Sequence, residues 1–396
     1  MDLHAIAVVA ALVFAFALIS KRAADGVLTP PMFFTGAGLL LGSAGLSLLH
    51  LDVDTMGVQL LAEATLIFVL FVDAAKVDPR RLRREYSLPL RLLALGMPLQ
   101  IALGTLLAKA LFSDLSWWQA GLISSILAPT DAALGQAVVS SPRVPESLRQ
   151  TLSVESGLND GIALPIVTIF LATCLTLEAA LPASHWIDFT ARQIGFGTLV
   201  GVAVGALGAL LLNAAQKRKW MTHGLSHVAT LALAVLSYAL AHSLEGNGFI
   251  AAFVAGFSFG CSTRQDKEHL FGFAEEEGEL LTLVTFLVFG VALLPSALSS
   301  APPLAWLYAA FSLTAVRMLP VALALLGTEL DSRSRLFVGW FGPRGLASIL
   351  FALLVVEASG VKNGELIVSV VLITVLASVF AHGISAQPLA HRIGKG

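Results

Sequence analysis

The sequence predicts an all-α polytopic membrane protein. Three observations carry that prediction: the composition, a row of bilayer-length apolar segments, and the sidedness of the basic residues between them. Of 396 residues, 57% are hydrophobic and 13% charged, and the mean hydropathy is +0.84. Ordinary soluble domains carry about 25% charged residues. A net charge of −2 offers no basic surface to a nucleic acid, so no such partner is expected. Cys174 and Cys261 fall in or at the edge of apolar runs, where they read as small buried hydrophobes rather than a disulfide or metal framework.

A crossing needs about 20 mainly apolar residues. On that measure there are about thirteen candidate spans: 3–20, 27–49, 56–75, 87–112, 117–139, 147–175, 190–212, 224–243, 247–262, 278–298, 303–326, 334–357 and 364–386. The first runs into Lys21-Arg22 rather than a small-residue cleavage site, so it reads as a retained helix. The weakest are 247–262, which is short, and 27–49, which opens on Pro30-Pro31.

Cytoplasmic loops collect Lys and Arg, which tests the count independently. With the N-terminus outside, the inner loops hold Lys21, Arg22, Lys76, Arg80, Arg81, Arg83, Arg84, Arg91, Arg143, Arg149, Lys217, Arg218, Lys219, Arg264, Lys267, Arg333, Arg335, Arg392 and Lys395. The outer side keeps Lys109, Arg192 and Lys362, while Arg317 and Arg344 fall inside spans. The reading is therefore a multi-pass protein of the cell membrane, N-terminus out and C-terminus in. An odd number of crossings permits two six-helix units in inverted orientation, joined by the seventh span. Such repeats place a substrate site at the midplane, where paired helices are broken. The punctuation fits: Pro129-Thr130-Asp131 interrupts the fifth span and Gly342-Pro343-Arg344-Gly345 the twelfth. Asp131 and Arg344 are the expected compensating charges for the helix ends exposed where the two breaks cross.

Asp73, Asp131, Glu155, Asp160, Arg317 and Arg344 all lie in apolar spans or close to their ends. An ionised group at mid-membrane costs from roughly 3 to more than 10 kcal/mol, so each asks for a partner or a function. Glu155 and Asp160 are five residues apart and point about 140° away from each other on a helix, which suits different jobs. Arg317, deep in its span, needs a buried counter-ion, and Glu155 is the preferred one. Asp160 is then the carboxylate left to titrate, since burial raises a carboxylate pKa toward neutrality. A group in that state can hold a proton or release it in exchange for a cation.

The segment Glu155-Ser156-Gly157-Leu158-Asn159-Asp160-Gly161 resembles the Glu-Ser-Leu-Leu-Asn-Asp-Gly signature of the NhaP/NHE branch of monovalent cation/proton antiporters. Ala128-Pro129-Thr130-Asp131 is similar to that family's Thr-Asp-Pro motif, and Phe341-Gly342-Pro343-Arg344-Gly345 to its glycine-rich Arg-Gly segment. Phe71-Val72-Asp73 and the run Phe249 to Gly256 extend the likeness over nearly the whole chain. The resemblance implies an NhaA/NhaP-like fold and electroneutral exchange of one monovalent cation, Na⁺ first, then Li⁺ or K⁺, for one proton by alternating access. It implies that Asp160 and Asp131 hold the cation, with Thr130, Ser156, Asn159 and Asp73 adding or tuning oxygens. Glu155 with Arg317 would be the family's structural bridge. It further implies one antiporter domain over 1–396, in which 87–175 and 303–396 form the transport core. Segments 1–86 and 176–302 would then be mainly scaffold and homodimer contact. Two departures stand out: Ala132 replaces the family's proline, and Asp73 stands where many relatives have Glu. With no long tail after Lys395, tail-based regulation is not expected.

No metal-ligand spacing, nucleotide loop or nucleophile–base arrangement suggests an enzyme, and no cofactor beyond the transported ions is expected. His223, His227, His269 and His382 read as ordinary interfacial or buried histidines, and Glu275, Glu276, Glu277 and Glu279 as a solvated helix start. The competing readings are a passive cation channel and a non-transporting sensor or scaffold on the same fold.

Overall fold

The computed structural model describes residues 3–24, 26–49, 56–77, 87–178, 183–263, 267–358 and 360–394, and none of these is in a β-strand. Arg80, Arg81, Arg83, Arg84, Arg264 and Lys395 of the expected inner loops lie outside the described residues. The helices are α1 (Leu3–Ala24), α2 (Pro30–Leu41), α3 (Met56–Lys76), α4 (Ser87–Arg91), α5 (Met97–Leu111), α6 (Trp117–Ile126), α7 (Ala132–Val139), α8 (Glu146–Glu178) and α9 (Ala183–Lys217). They continue as α10 (His223–Ser243), α11 (Gly248–Ser262), α12 (Lys267–Val288), α13 (Leu294–Ser300), α14 (Pro303–Leu313), α15 (Ala315–Ala324), α16 (Ser332–Trp340), α17 (Leu346–Glu357) and α18 (Gly364–Ile393).

Helix occupies every expected span, but the count of thirteen full crossings is not reproduced by length. Eight helical stretches of the described residues are long and apolar enough to cross a bilayer, and Pro30–Leu41, Gly248–Ser262 and Leu346–Glu357 are shorter apolar helices. Part of the shortfall has a physical origin: two expected spans are each split into a pair of half-helices, α6 with α7 and α16 with α17, and two more, α2 and α11, are short apolar helices. Cys174 is buried as expected, whereas Cys261, in the last turn of α11, is exposed.

Two wide π turns, Leu92–Gly96 and Phe289–Leu293, join α4 to α5 and α12 to α13. Each ends two residues before a proline, Pro98 or Pro295. Proline removes one donor and crowds the carbonyl four residues back, so the backbone widens for a turn instead of breaking.

The chain divides into two compact units, one formed by Met1–Ala62, Ser87–Ser156 and Thr282–Gly396, the other by Glu63–Tyr86 and Gly157–Leu281. The first has an apolar cluster at one end, where Leu92, Val144, Leu148, Leu325, Val338 and Ala390 are buried together. Asp331 caps α16 by accepting from the Ser334 N–H at 3.0 Å, and hydrogen bonds from the Ser334 side chain and then its backbone hold its carboxyl below the usual carboxylate range.

The second unit is built on close helix contact. Gly197, Gly201 and Gly205 recur every fourth residue on α9, and a Cβ at any of them would meet the carbonyl oxygen of Asn247, Ala251 or Ala255 on or just before α11. Gly256 and Gly260 bring the opposite side of α11 equally close to the backbone of α3 at Phe71 and Ala75. Small residues at four-residue spacing are how helices approach one another in lipid, where no hydrophobic force drives them together. Gly205→Leu is therefore expected to destabilise this unit by at least the roughly 1–3 kcal/mol of core overpacking, read as a lower unfolding midpoint of the purified protein.

Candidate functional site

The site grows out of a backbone problem. Helix α6 ends at Ile126 because Pro129 cannot donate and its ring pushes Ala128 out of the helical region. The carbonyls from Ile126 to Thr130 then lose their helical donors, and in hydrocarbon there is no water to replace them. Side chains from elsewhere in the same unit take every one. Ser348 Oγ donates to Ile126 O at 2.8 Å. Gln100 Nε2 donates to Leu127 O at 3.4 Å and Ala128 O at 3.2 Å. Arg344 Nη1 donates to Ala128 O at 3.3 Å and Pro129 O at 3.2 Å. Ser156 Oγ donates to Thr130 O at 2.6 Å.

The opposite ends are served by Asp131. Its Oδ1 accepts from Leu134 N–H at 3.2 Å in the first turn of α7, and its Oδ2 accepts from Leu346 N–H at 2.6 Å where α17 begins. One carboxylate thus caps two half-helices, each of which presents partial positive charge at that end. The two breaks also bond directly, Asp131 N–H donating to Pro343 O at 2.8 Å. They can lie this close only because Gly345 has no side chain: a Cβ there would overlap the Asp131 carboxylate.

Arg317 of α15 and Glu155 of α8 form a bidentate pair, Nη1 to Oε1 at 2.7 Å and Nη2 to Oε2 at 2.9 Å, with both side chains 3% exposed. The fork geometry satisfies both carboxylate oxygens and is the strongest pairing these groups make. Gly342 lies against this guanidinium, and a Cβ there would collide with it. The second break therefore carries glycines where it meets Arg317 and where it meets Asp131.

Asp73, Asn159 and Asp160 belong to the second unit. Within it, Gly157 of α8 faces the Asp73 carbonyl oxygen, 3.7 Å from the position a Cβ would take, and Gly161 packs against the Phe253 ring of α11. Asn159 and Asp160 lie on the α8 segment between those two glycines. Asn159 is buried, while Asp160 and Asp73 are half-buried.

The protein-family comparison covers this whole arrangement: the model of the transmembrane sodium/hydrogen exchanger matches residues 7–392. The chain belongs to the sodium/hydrogen exchanger family. The family is one of transporters, not enzymes, and this member is a multi-pass membrane protein. Among its relatives, the K(+)/H(+) antiporter NhaP of Alkalimonas amylolytica is 28% identical over 94% of this chain and 63% of its own length. The Na(+)/H(+) antiporter NhaP of Pseudomonas aeruginosa is 28% identical over 83% of this chain and 80% of its own. The chain thus spans less than two thirds of the Alkalimonas relative. The structure of the sodium proton antiporter MjNhaP1 from Methanocaldococcus jannaschii superposes with a TM-score of 0.80 at 19% identity, covering 97% of this chain and 100% of that one. The fold is that of this antiporter.

Three members of the crossed break were not singled out from the sequence: Gln100, Ser348 and Ser378, whose Oγ accepts from the Arg344 N–H at 2.6 Å. Gln100 had a signal, since an amide alone in the 87–112 span is costly for the same reason a charge is. Serines give none, because a hydroxyl can bond back to its own helix. Removing one partner of the buried ion pair tests its weight. Arg317→Met is expected to destabilise by about 3–5 kcal/mol through the uncompensated Glu155, and a second change, Glu155→Leu, to restore most of the loss in chemical unfolding.

Proposed function

We propose that the chain exchanges a monovalent cation for a proton across the membrane, with Asp160 as the group that binds the two in competition. The observation that carries this reading is the bidentate engagement of Glu155 by Arg317 five residues earlier on α8. That pairing neutralises the first carboxylate of the motif, and in this reading the second is the one that changes its charge. A protonated Asp160 is neutral, and an ionised Asp160 holding one cation is neutral as well. Each state can therefore cross in an occluded form without a bare charge in hydrocarbon. One proton against one cation makes the exchange electroneutral. Asp131, Thr130, Ser156, Asn159 and Asp73 complete the oxygen set of this reading. Arg344 and Asp131 keep the half-helix ends neutralised as the site changes access.

Relatives described as K(+)/H(+) and Na(+)/H(+) antiporters support the cation class without choosing the ion; Na⁺ is the first candidate, with Li⁺ and K⁺ next. The same proposal has 87–175 and 303–396 moving as the transport core against 1–86 and 176–302. It takes the chain as a homodimer in the cell membrane, N-terminus out and C-terminus in, in keeping with the sidedness of its basic loops.

The test is dye-reported proton flux in vesicles over a panel of Na⁺, Li⁺ and K⁺. Wild type should give saturable flux with a bell-shaped pH profile. Acid protonates Asp160 and excludes the cation, and alkali leaves no proton to return. Asp160→Asn should abolish cation-dependent flux, and undiminished exchange in that variant would sink the assignment. A passive channel would instead conduct without saturation and collapse an imposed cation gradient with no proton movement.

A further inference from the structure

The second break is held from one side by the first break and from the other by α18, whose part no transport role explains. Ser378, His382 and Ser385 follow one another at four and three residues, so they share one face of that helix. Ser378 and His382 are 0% and 1% exposed. Ser378 Oγ accepts from Arg344 N–H at 2.6 Å, at the far end of the break. His382 Nε2 lies 2.9 Å from Trp340 O, at the near end. The two residues also touch each other, His382 Nδ1 to Ser378 Oγ at 3.0 Å. Ser385 Oγ accepts from the Trp340 indole N–H at 2.8 Å, and the indole lies 5.0 Å from the imidazole, centroid to centroid.

One neutral tautomer joins these contacts end to end: Nε2 carries the hydrogen and donates to Trp340 O, whereas the other tautomer would donate from Nδ1 to Ser378 O within α18. Nδ1 of the neutral ring is then an acceptor and takes the Ser378 hydroxyl hydrogen. Ser378 O, also 3.0 Å from Nδ1, makes no bond to that tautomer. The result is a directed chain: Arg344 N–H to Ser378 Oγ, Ser378 O–H to His382 Nδ1, and His382 Nε2–H to Trp340 O. It gives the last carbonyl of α16, which already accepts from Gly342 N–H at 2.8 Å, a second donor, and it satisfies the last backbone N–H before Gly345; these two groups flank Phe341–Pro343.

We propose that His382, acting with Ser378, is a positioning residue that clamps the second break. It holds Trp340 and Arg344 in register, so that the Arg344 guanidinium stays on Ala128 O and Pro129 O and Pro343 O stays on Asp131 N–H. The argument from geometry is independent of transport; the kinetic consequence rests on the antiport reading above. A loosened clamp leaves the break binding-competent for only part of the time. Apparent affinity falls by that fraction, whereas saturating cation draws the population back.

The experiment compares wild type with His382→Ala, Ser378→Ala and His382→Gln, whose amide N–H can replace Nε2–H at Trp340 O. Two readouts are taken: amide hydrogen exchange of the 341–346 segment in purified protein, and the cation dependence of proton flux in vesicles. His382→Ala and Ser378→Ala should both speed exchange in that segment and raise the apparent KM for the cation roughly three- to tenfold at near-wild-type maximal rate. His382→Gln should lie closer to wild type in both. Wild-type exchange and wild-type KM in the two alanine variants overturn the proposal. So does a fall in maximal rate with KM unchanged, because that reports only less folded protein. Should His382→Ala fail to fold, Ser378→Ala and His382→Gln decide by the same criteria. Absence of flux in wild-type vesicles would reject the antiport reading, and the hydrogen-exchange comparison would still decide the clamp.

Discussion

A helix broken inside a membrane must find partners for its orphaned backbone groups within the protein, because lipid supplies none. That requirement organises the first unit around the crossing of α6–α7 and α16–α17. The carbonyls from Ile126 to Thr130 are claimed by Ser348, Gln100, Arg344 and Ser156, and the start of α17 by Asp131. Two other helices thus reach these carbonyls with a side chain each, α5 through Gln100 and α8 through Ser156. Unwinding two helices at one level in the bilayer is tolerable because each break supplies part of what the other lacks: Asp131 N–H meets Pro343 O, and Arg344 returns to Pro129 O.

The same economy governs charge. A buried ion pair is often no more stabilising than a well-packed apolar substitute, but a buried single ion is far worse. Arg317 and Glu155 answer one another in full through two short bonds. On the proposed antiport reading, their value is that α8 can carry two carboxylates five residues apart while only one of them changes state. The glycines on the opposing strand of backbone, Gly342 and Gly345, then let the break approach both charged centres at distances a side chain would forbid.

The costly residues were visible in the sequence because cost is a property of a single residue in an apolar run. Asp131, Glu155, Arg317 and Arg344 announced themselves in this way, and so did the Pro129 and Gly342–Gly345 interruptions. Gln100 could have been found by extending the same argument from charges to amides. Ser348 and Ser378 could not. A serine costs little anywhere in a helix, and its meaning depends on which carbonyl or amide another helix brings to it. His382 was visible as a residue and illegible as a role, since both its ring nitrogens are spoken for by groups at least four residues away in sequence, and one of them by Trp340, forty-two residues back.

Apolar run length, the sidedness of Lys and Arg, and the placement of proline, glycine and charge are local or periodic quantities. They determined by themselves that this chain is an all-helical membrane protein, that its fifth and twelfth spans are broken, and that a small set of carboxylates and arginines must be partnered. Tertiary structure decided which groups meet. It split the two broken spans into half-helices too short to count as crossings, gave the expected Arg317–Glu155 pair its two-bond geometry across 162 positions, and set one carboxylate of Asp131 on two helix starts. Those outcomes depend on the packing of helices far apart in the chain, and the pattern along one strand of sequence does not contain the distances between them.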